Sequence, residues 1–220
     1  AGEGAALAAA SRAAVEAGTV LAGVLLERHG VLTRDAVRSE AVPGGFASIY
    51  QVLKAMEESG RARRGYFIAG LGGAQFAVPG AVDRLRSVRV PAVGAGVAGG
   101  AGFAPRPDRP EVTVLAATDP ASVWGSVLPW PVKGPARVAG AHVVSVDGLP
   151  SAYLERGGRG LLALRPLDGT WEEHVVGALE HLVDSGRWSR LTLQRFPEAL
   201  GGHLRRAGFV PTPRGLVRYR

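Results

Sequence analysis

Residues 42–67, VPGGFASIYQVLKAMEESGRARRGYF, decide the reading of the N-terminal half. Phe46, Ile49, Leu53 and Met56 recur at steps of three and four, the spacing of one buried helix face. Pro43-Gly44-Gly45 breaks the chain before this run and Gly60 is placed to end it, so a helix is expected from about 46 to 59. After Gly60 the period changes. RARRGYFIAG and AQFAVPG read as short strands around GLGG, a hairpin with a basic first arm. Upstream, an Ala-rich helix spans about 5–28, interrupted at Gly18 and stopped by His29-Gly30, and Thr33 caps a short second helix in LTRDAVRSE. Three helices followed by a hairpin is the order of a winged helix, here assigned to residues 1–89, with AVDRLRSV as one more short helix.

Working outward, residues 90–110 are almost wholly Gly, Ala, Pro and Val and read as a flexible linker or long loop. Residues 111–220 form a second, mostly β domain. EVTVLAAT, RVAGAHVVSVDG, PSAYLERGG and RGLLALRP are expected strands, with Asp147-Gly148 and Gly157-Gly158 as hairpin signals. They suggest an antiparallel meander, rolled into a small barrel or sheet. The helix TWEEHVVGALEHLVDSG, with Thr170 and Glu173 as a capping box, then a strand, a helix and a last strand close the chain. The fold class is α+β.

The 220 residues carry 26 Lys and Arg against 19 Asp and Glu, a net charge of +7. That excess favours a polyanionic partner, nucleic acid first, although Lys occurs only at Lys54 and Lys133 and GC-rich coding would give the same bias toward Arg. There is no cysteine, which excludes disulfides, Cys-ligated zinc, iron–sulfur clusters and thiol nucleophiles. No apolar run approaches the roughly 18 residues of a membrane span, and no secretory signal is present, so no membrane partner and a cytoplasmic address are expected. A start at Ala rather than Met suggests a piece of a longer polypeptide.

With the apolar stripe turned inward, Gln51 and Lys54 face outward and Ser48 lies on the flank. In a winged helix that face belongs to the recognition helix, where Gln and Ser reach base edges and Lys a phosphate. Arg61, Arg63 and Arg64 stand where the wing begins and would track the DNA backbone. The plain alternative is a solvated face or a protein-docking winged helix, and Glu57 and Glu58 weigh on that side. A second cluster runs from His203 to the end, with Arg214, Arg218 and Arg220 among its cations and no acidic residue. Trp124 and Trp130, in the rigid loop VWGSVLPWP, either stack on an unpaired base or cap the second core.

Catalytic patterns are sparse. Neither lysine sits in a P-loop, so no ATP site of that type exists here, and the five histidines lack metal-ligand spacing and read as exposed; no metal or cofactor is expected. Asp119 and Asp147, at strand ends where a barrel mouth would present them, are the only carboxylates offered for orienting water at a sugar. Asp before Pro or Gly is equally an ordinary turn residue.

VPGGFASIYQVLKAMEESGRARRGYFIAGLGGAQFAVPGAVDRLR and VLAATDPASVWGSVLPWP, with GLPSAYLERGGRGLLAL and LRRAGFVPTPRGLVRYR, together resemble the C-terminal region of Lhr, the large helicase-related family of superfamily 2 DNA-repair helicases. The resemblance implies a non-motor module of a 3′ to 5′ DNA helicase. Its motor, with ATP and Mg, would lie N-terminal in the same polypeptide. It also implies partners: single-stranded or tailed duplex DNA, the helicase core, and other copies of the chain. The family's C-terminal region is similar to tandem winged-helix alkylpurine DNA glycosylases, which makes removal of a damaged base such as uracil, or a purely structural oligomerising role, the alternatives. The glycosylase relatives use a Gln, an apolar residue, then Gln or Asp; the nearest string here, Gln75-Phe76-Ala77, lacks the third polar group.

Overall fold

The computed structural model describes residues 2–87 and 110–220. The chain divides into two compact units, Ala1–Gly99 and Gly100–Arg220. The expected linker at 90–110 lies, apart from Pro110, outside the described residues.

In the first unit, α1 (Gly2–His29) is one continuous helix, contrary to the break expected at Gly18. A helical glycine costs only about 1 kcal/mol against Ala. A Cβ on Gly18 would meet Val52 Cγ2 at 3.4 Å, an ordinary van der Waals contact, so packing does not require the glycine. β1 (Val31–Leu32) follows, then α2 (Arg34–Ser39), capped by Thr33, whose Oγ1 accepts from the Ala36 N–H at 3.1 Å. α3 (Gly45–Glu58) buries Ile49, Leu53 and Met56 as the periodicity demands. β2 (Arg63–Gly65) and β3 (Gln75–Ala77) make the hairpin, and α4 (Ala81–Ser87) ends the unit. The sheet order is β1-β3-β2, so a short third strand, absent from the sequence reading, covers the inner edge of the wing. Phe76 on the central strand is fully buried, with its ring 6.4 Å from Phe46 and 6.0 Å from Tyr50. Those contacts clamp α3 to the sheet and fix the angle at which its outer face is shown.

The second unit opens with a meander of β4 (Val112–Ala116), β5 (His142–Val146), β6 (Leu149–Leu154) and β7 (Leu161–Ala163), antiparallel in that order. Asp147 (φ 50°) and Gly148 (φ 74°) form the expected tight turn, both in the left-handed region that such turns require. α5 (Glu172–Asp184) and β8 (Arg190–Leu193) come next. α6 (Gly201–Arg206), β9 (Val210–Thr212) and β10 (Gly215–Tyr219) complete a separate sheet of order β8-β10-β9.

No closed barrel forms among the described residues, which corrects that part of the expectation. α5 supplies the cover that a rolled sheet would have needed: Val175, Val176, Leu179 and Leu182 pack against Val144, Val146, Ala152 and Leu154 of the meander and Leu191, Leu193 and Leu216 of the second sheet. Between the two sheets there is a single-residue parallel bridge, Gly160 to Arg195. The Thr170–Glu173 capping box is also absent. Glu172 takes that role, accepting from the N–H groups of Gly169 and Trp171 at 3.0 Å each, while Thr170 donates its hydroxyl to Asp168.

Candidate nucleic-acid interface

α3 presents Ala47, Ser48, Gln51 and Lys54 to solvent. Ser48 is more committed than its exposure suggests. Its hydroxyl lies 2.9 Å from the Pro43 carbonyl and 2.8 Å from that of Gly45, so its one proton is used in closing the turn into α3. Gln51 and Lys54 have no such duty among the described residues.

Arg61 stands between α3 and the wing, its Nε donating to Ser59 Oγ at 3.2 Å. Arg63 and Arg64 occupy the edge strand β2, opposite Ala77 and Phe76. Directly opposed residues share a face and neighbours along a strand alternate. Arg64 is therefore on the side of Phe76 and α3, and Arg63 on the reverse. The wing thus carries one cation on each face of its edge rather than two on one surface. None of Lys54, Arg61, Arg63 and Arg64 forms an ion pair among the described residues, whereas Arg28, Arg38, Arg86, Arg195 and Arg218 all do.

Tyr66, which the sequence reading passed over, follows Gly65 at the mouth of the wing loop and is 89% exposed. Its signal was an aromatic immediately after Arg-Arg-Gly in a hairpin arm. Gln75 is what holds this loop. It is fully buried, its Oε1 accepts from the N–H groups of Phe67 and Ile68 at 3.0 and 2.9 Å, and its Nε2 donates to the carbonyls of Ile68 and Leu71 at 3.0 Å each. Every hydrogen-bonding position that points at this loop is filled, so Gln75 serves architecture and has nothing left for chemistry on a substrate.

The second cluster of cations divides. Arg214 is exposed in the β9–β10 turn, and Arg220 is exposed with its guanidinium beside Gly186. Arg218 is different. It is only 15% exposed, gripped by Asp184 at 2.7 and 2.8 Å and Glu180 at 3.2 Å, and it also donates to the Ala207 carbonyl. It ties β10 to α5 and the end of α6, which argues against the phosphate contact expected of it.

Trp124 and Trp130 pack against the meander face away from α5, beside Ala117, Ala141, Val143, Tyr153 and Leu164. Trp130 meets the Tyr153 ring edge-on at 5.4 Å. The aromatic loop caps a core, the second of the two roles open to it. Asp119 and Asp147 do not share a mouth. Asp119 follows the end of β4 and Asp147 the end of its antiparallel partner β5, so they sit at opposite ends of the strand pair. Asp119 accepts from the Ala121 N–H at 2.8 Å, as a turn residue does, and Asp147 accepts from the Glu111 N–H at 3.0 Å, across to the start of β4.

Of the five histidines, expected to be exposed, only His181 is; His29, His142, His174 and His203 are partly buried, and the His142 ring lies 5.1 Å from that of Trp188, where burial holds its pKa below the usual value. His174 and His181 both line an open groove of about 450 Å³ between β4 and α5. Among the described residues no group of three side chains is arranged to hold a metal ion. No helix there is long and apolar enough to cross a membrane.

With that geometry in place, the likenesses to known proteins fall on the same elements. Residues 11–95 match the family model described as "Large helicase-related protein, winged-helix domain". A Mycolicibacterium smegmatis protein described as "Lhr helicase/ probable uracil glycosylase" is 44% identical over 218 residues, covering 89% of this chain and 13% of its own length. An Escherichia coli protein described as "Lhr helicase/uracil glycosylase" is 36% identical over 206 residues, again 89% of this chain and 13% of its own. The chain therefore spans about 13% of the length of the curated relatives it matches. Its winged helix and the identity that continues through the second unit make the chain a member of the large helicase-related, or Lhr, family.

Proposed function

We propose that this chain is a cytoplasmic, non-motor module of an Lhr-type ATP-dependent 3′ to 5′ DNA helicase. It binds single-stranded or tailed duplex DNA in repair, alongside a helicase core in the same polypeptide. The observation that carries this reading is a local cluster of cations: Lys54 on α3 and Arg61, Arg63 and Arg64 around the wing have no acidic partner among the described residues. Gln51 sits beside them to meet base edges and Tyr66 to stack. ATP and Mg would be used by the motor, outside this chain. Anisotropy of labelled single-stranded and tailed duplex DNA, titrated with the protein, tests the reading. Binding should tighten steeply as salt falls. Absence of binding at low salt refutes it, because phosphate contacts are strongest there.

Self-association is the second reading, favoured by α1, which leaves Val15, Val20, Leu21 and Val24 exposed. Light scattering would reveal a multimer, and a monomer at all concentrations would remove it for this chain. Uracil removal, named for both relatives, draws no support from Gln75, whose polar atoms are all used by the wing loop, or from Asp119 and Asp147, which sit at opposite ends of the β4–β5 pair. Incubation with uracil-containing DNA followed by alkali would detect it, and product that persists in an Asp119→Ala/Asp147→Ala variant would exclude both carboxylates.

A further inference from the structure

The β8-β10-β9 sheet of the second unit has a face turned away from the core that carries an exposed aromatic and, in its strands, no carboxylate. In the β8-β10-β9 sheet, Leu191, Leu193 and Leu216 point into the core. Tyr219 lies directly opposite Arg190, Val217 opposite Thr192, and Val210 opposite Val217. Because opposed residues share a face and neighbours alternate, Arg190, Thr192, Val210, Val217 and Tyr219 all lie on the side away from that core.

Tyr219, near the end of the central strand, is 58% exposed, and Val210 is exposed as well, while Val217 between them is buried and forms an apolar floor. None of the three strands contains a carboxylate. Arg190 lies opposite Tyr219 in register on this face, and Arg214 is exposed in the turn at one end of β10; neither is in an ion pair among the described residues. The acidic residues nearest in the fold, Glu180 and Asp184, are on the other side and are already bound to Arg218.

We propose that this face is a binding surface for a single strand of nucleic acid, with Tyr219 as the ring on which a base stacks and Arg190 as its phosphate or cation–π partner. An open antiparallel sheet showing an aromatic on its central strand is a general platform for unpaired bases, since every base has a π-face and the interaction tolerates any sequence. The charge selects the occupant. A face with Arg190 in register with an exposed ring, Arg214 in the turn at one end and no carboxylate in its strands suits a polyanion, and a protein partner would be drawn mainly to the apolar floor. The surface belongs to the second unit, so it does not depend on the function proposed above for α3 and the wing.

The whole chain is used for the test, with an oligo-dT strand, an oligo-U strand and an abasic strand of equal length. Tyr219→Leu should weaken binding to the two base-bearing strands at least about fivefold and leave the abasic strand unaffected, while Tyr219→Phe retains affinity. Arg190→Ala should weaken binding to all three and flatten the salt dependence. The same variants in an Arg63→Ala/Arg64→Ala background separate the two surfaces: loss at Tyr219 that persists there supports this site even if the wing proves inert. Unchanged affinity of Tyr219→Leu in both backgrounds overturns the proposal, as does an equal loss on abasic and base-bearing strands. Circular dichroism of each variant identifies any that fails to fold, and the Phe variant then decides.

Discussion

Replacing Gln75 by Ala strips four hydrogen bonds of 2.9–3.0 Å from a site with no exposed surface. The Leu71 carbonyl partner is buried, and the Phe67 and Ile68 groups are only half-buried, so water can reach some of them. At about 1 kcal/mol for each bond that water replaces, and up to about 3 for a group left bare, the loss is roughly 3–5 kcal/mol. For a unit this small that would lower the urea midpoint by more than about 1 M. All four tryptophans, Trp124, Trp130, Trp171 and Trp188, lie in the second unit. Far-UV circular dichroism should therefore show an early phase as the first unit unfolds, while tryptophan fluorescence reports an unshifted second unit. Gln75→Glu gives a finer check. It keeps an acceptor for the two N–H groups but turns an oxygen toward the carbonyls of Ile68 and Leu71. Protonation restores one donor, which raises the folded-state pKa above the unfolded carboxyl value of about 4.3, so this variant should regain stability relative to the parent as pH falls through that raised value. If Gln75→Ala leaves the first unit within about 0.5 kcal/mol of the parent, the wing loop is not held by this side chain.

Arg218→Ala should destabilise the second unit by about 2–4 kcal/mol, since it leaves Asp184, Glu180 and the Ala207 carbonyl without their shared donor. It should leave the salt dependence of DNA binding unchanged, whereas Arg218→Lys rescues little because one ammonium cannot reproduce a bidentate grip. A salt slope that falls with Arg218→Ala while stability holds would reverse its assignment. Glu172 supplies a pH signature. Burial pushes its carboxyl up, but the N–H donors of Gly169 and Trp171 outweigh that and hold it below its usual 4.5. A depressed folded-state value means the stabilisation is complete above about pH 4.5 and is lost as pH falls through the folded value. Acid titration of thermal unfolding should show that loss in the parent and a shallower one in Glu172→Gln; parallel curves would contradict it.

Much of the first unit was legible because its determinants are local. The three-four-three stripe of α3 needed only periodicity, and Thr33 needed only its place before Arg34. Asp147-Gly148 needed only the rarity of consecutive left-handed residues. What stayed hidden is set by partners distant in sequence. Arg218 looked like a free cation because Asp184, 34 positions away, meets it only after β10 docks on α5. Gln75 resembled a catalytic motif because the four backbone groups that consume it belong to a loop whose path no local propensity describes. The barrel was over-read for the same reason: strands name their own hairpin neighbours, but whether the first and last strands meet depends on what else covers the sheet, and here α5 does. Gly18 misled in the opposite sense, since its local cost of about 1 kcal/mol is too small to break so long a helix.

The central claim, that α3 and the wing meet DNA through unpaired cations, is tested most directly by the salt dependence of binding. The dissociation constant for a tailed duplex would be measured from low to moderate salt for the parent and for Arg63→Ala/Arg64→Ala. Two lost phosphate contacts should weaken binding across sequences and reduce the slope of log K against log salt by about 2. A double variant with the same affinity and slope as the parent would place the wing off the DNA and contradict the account.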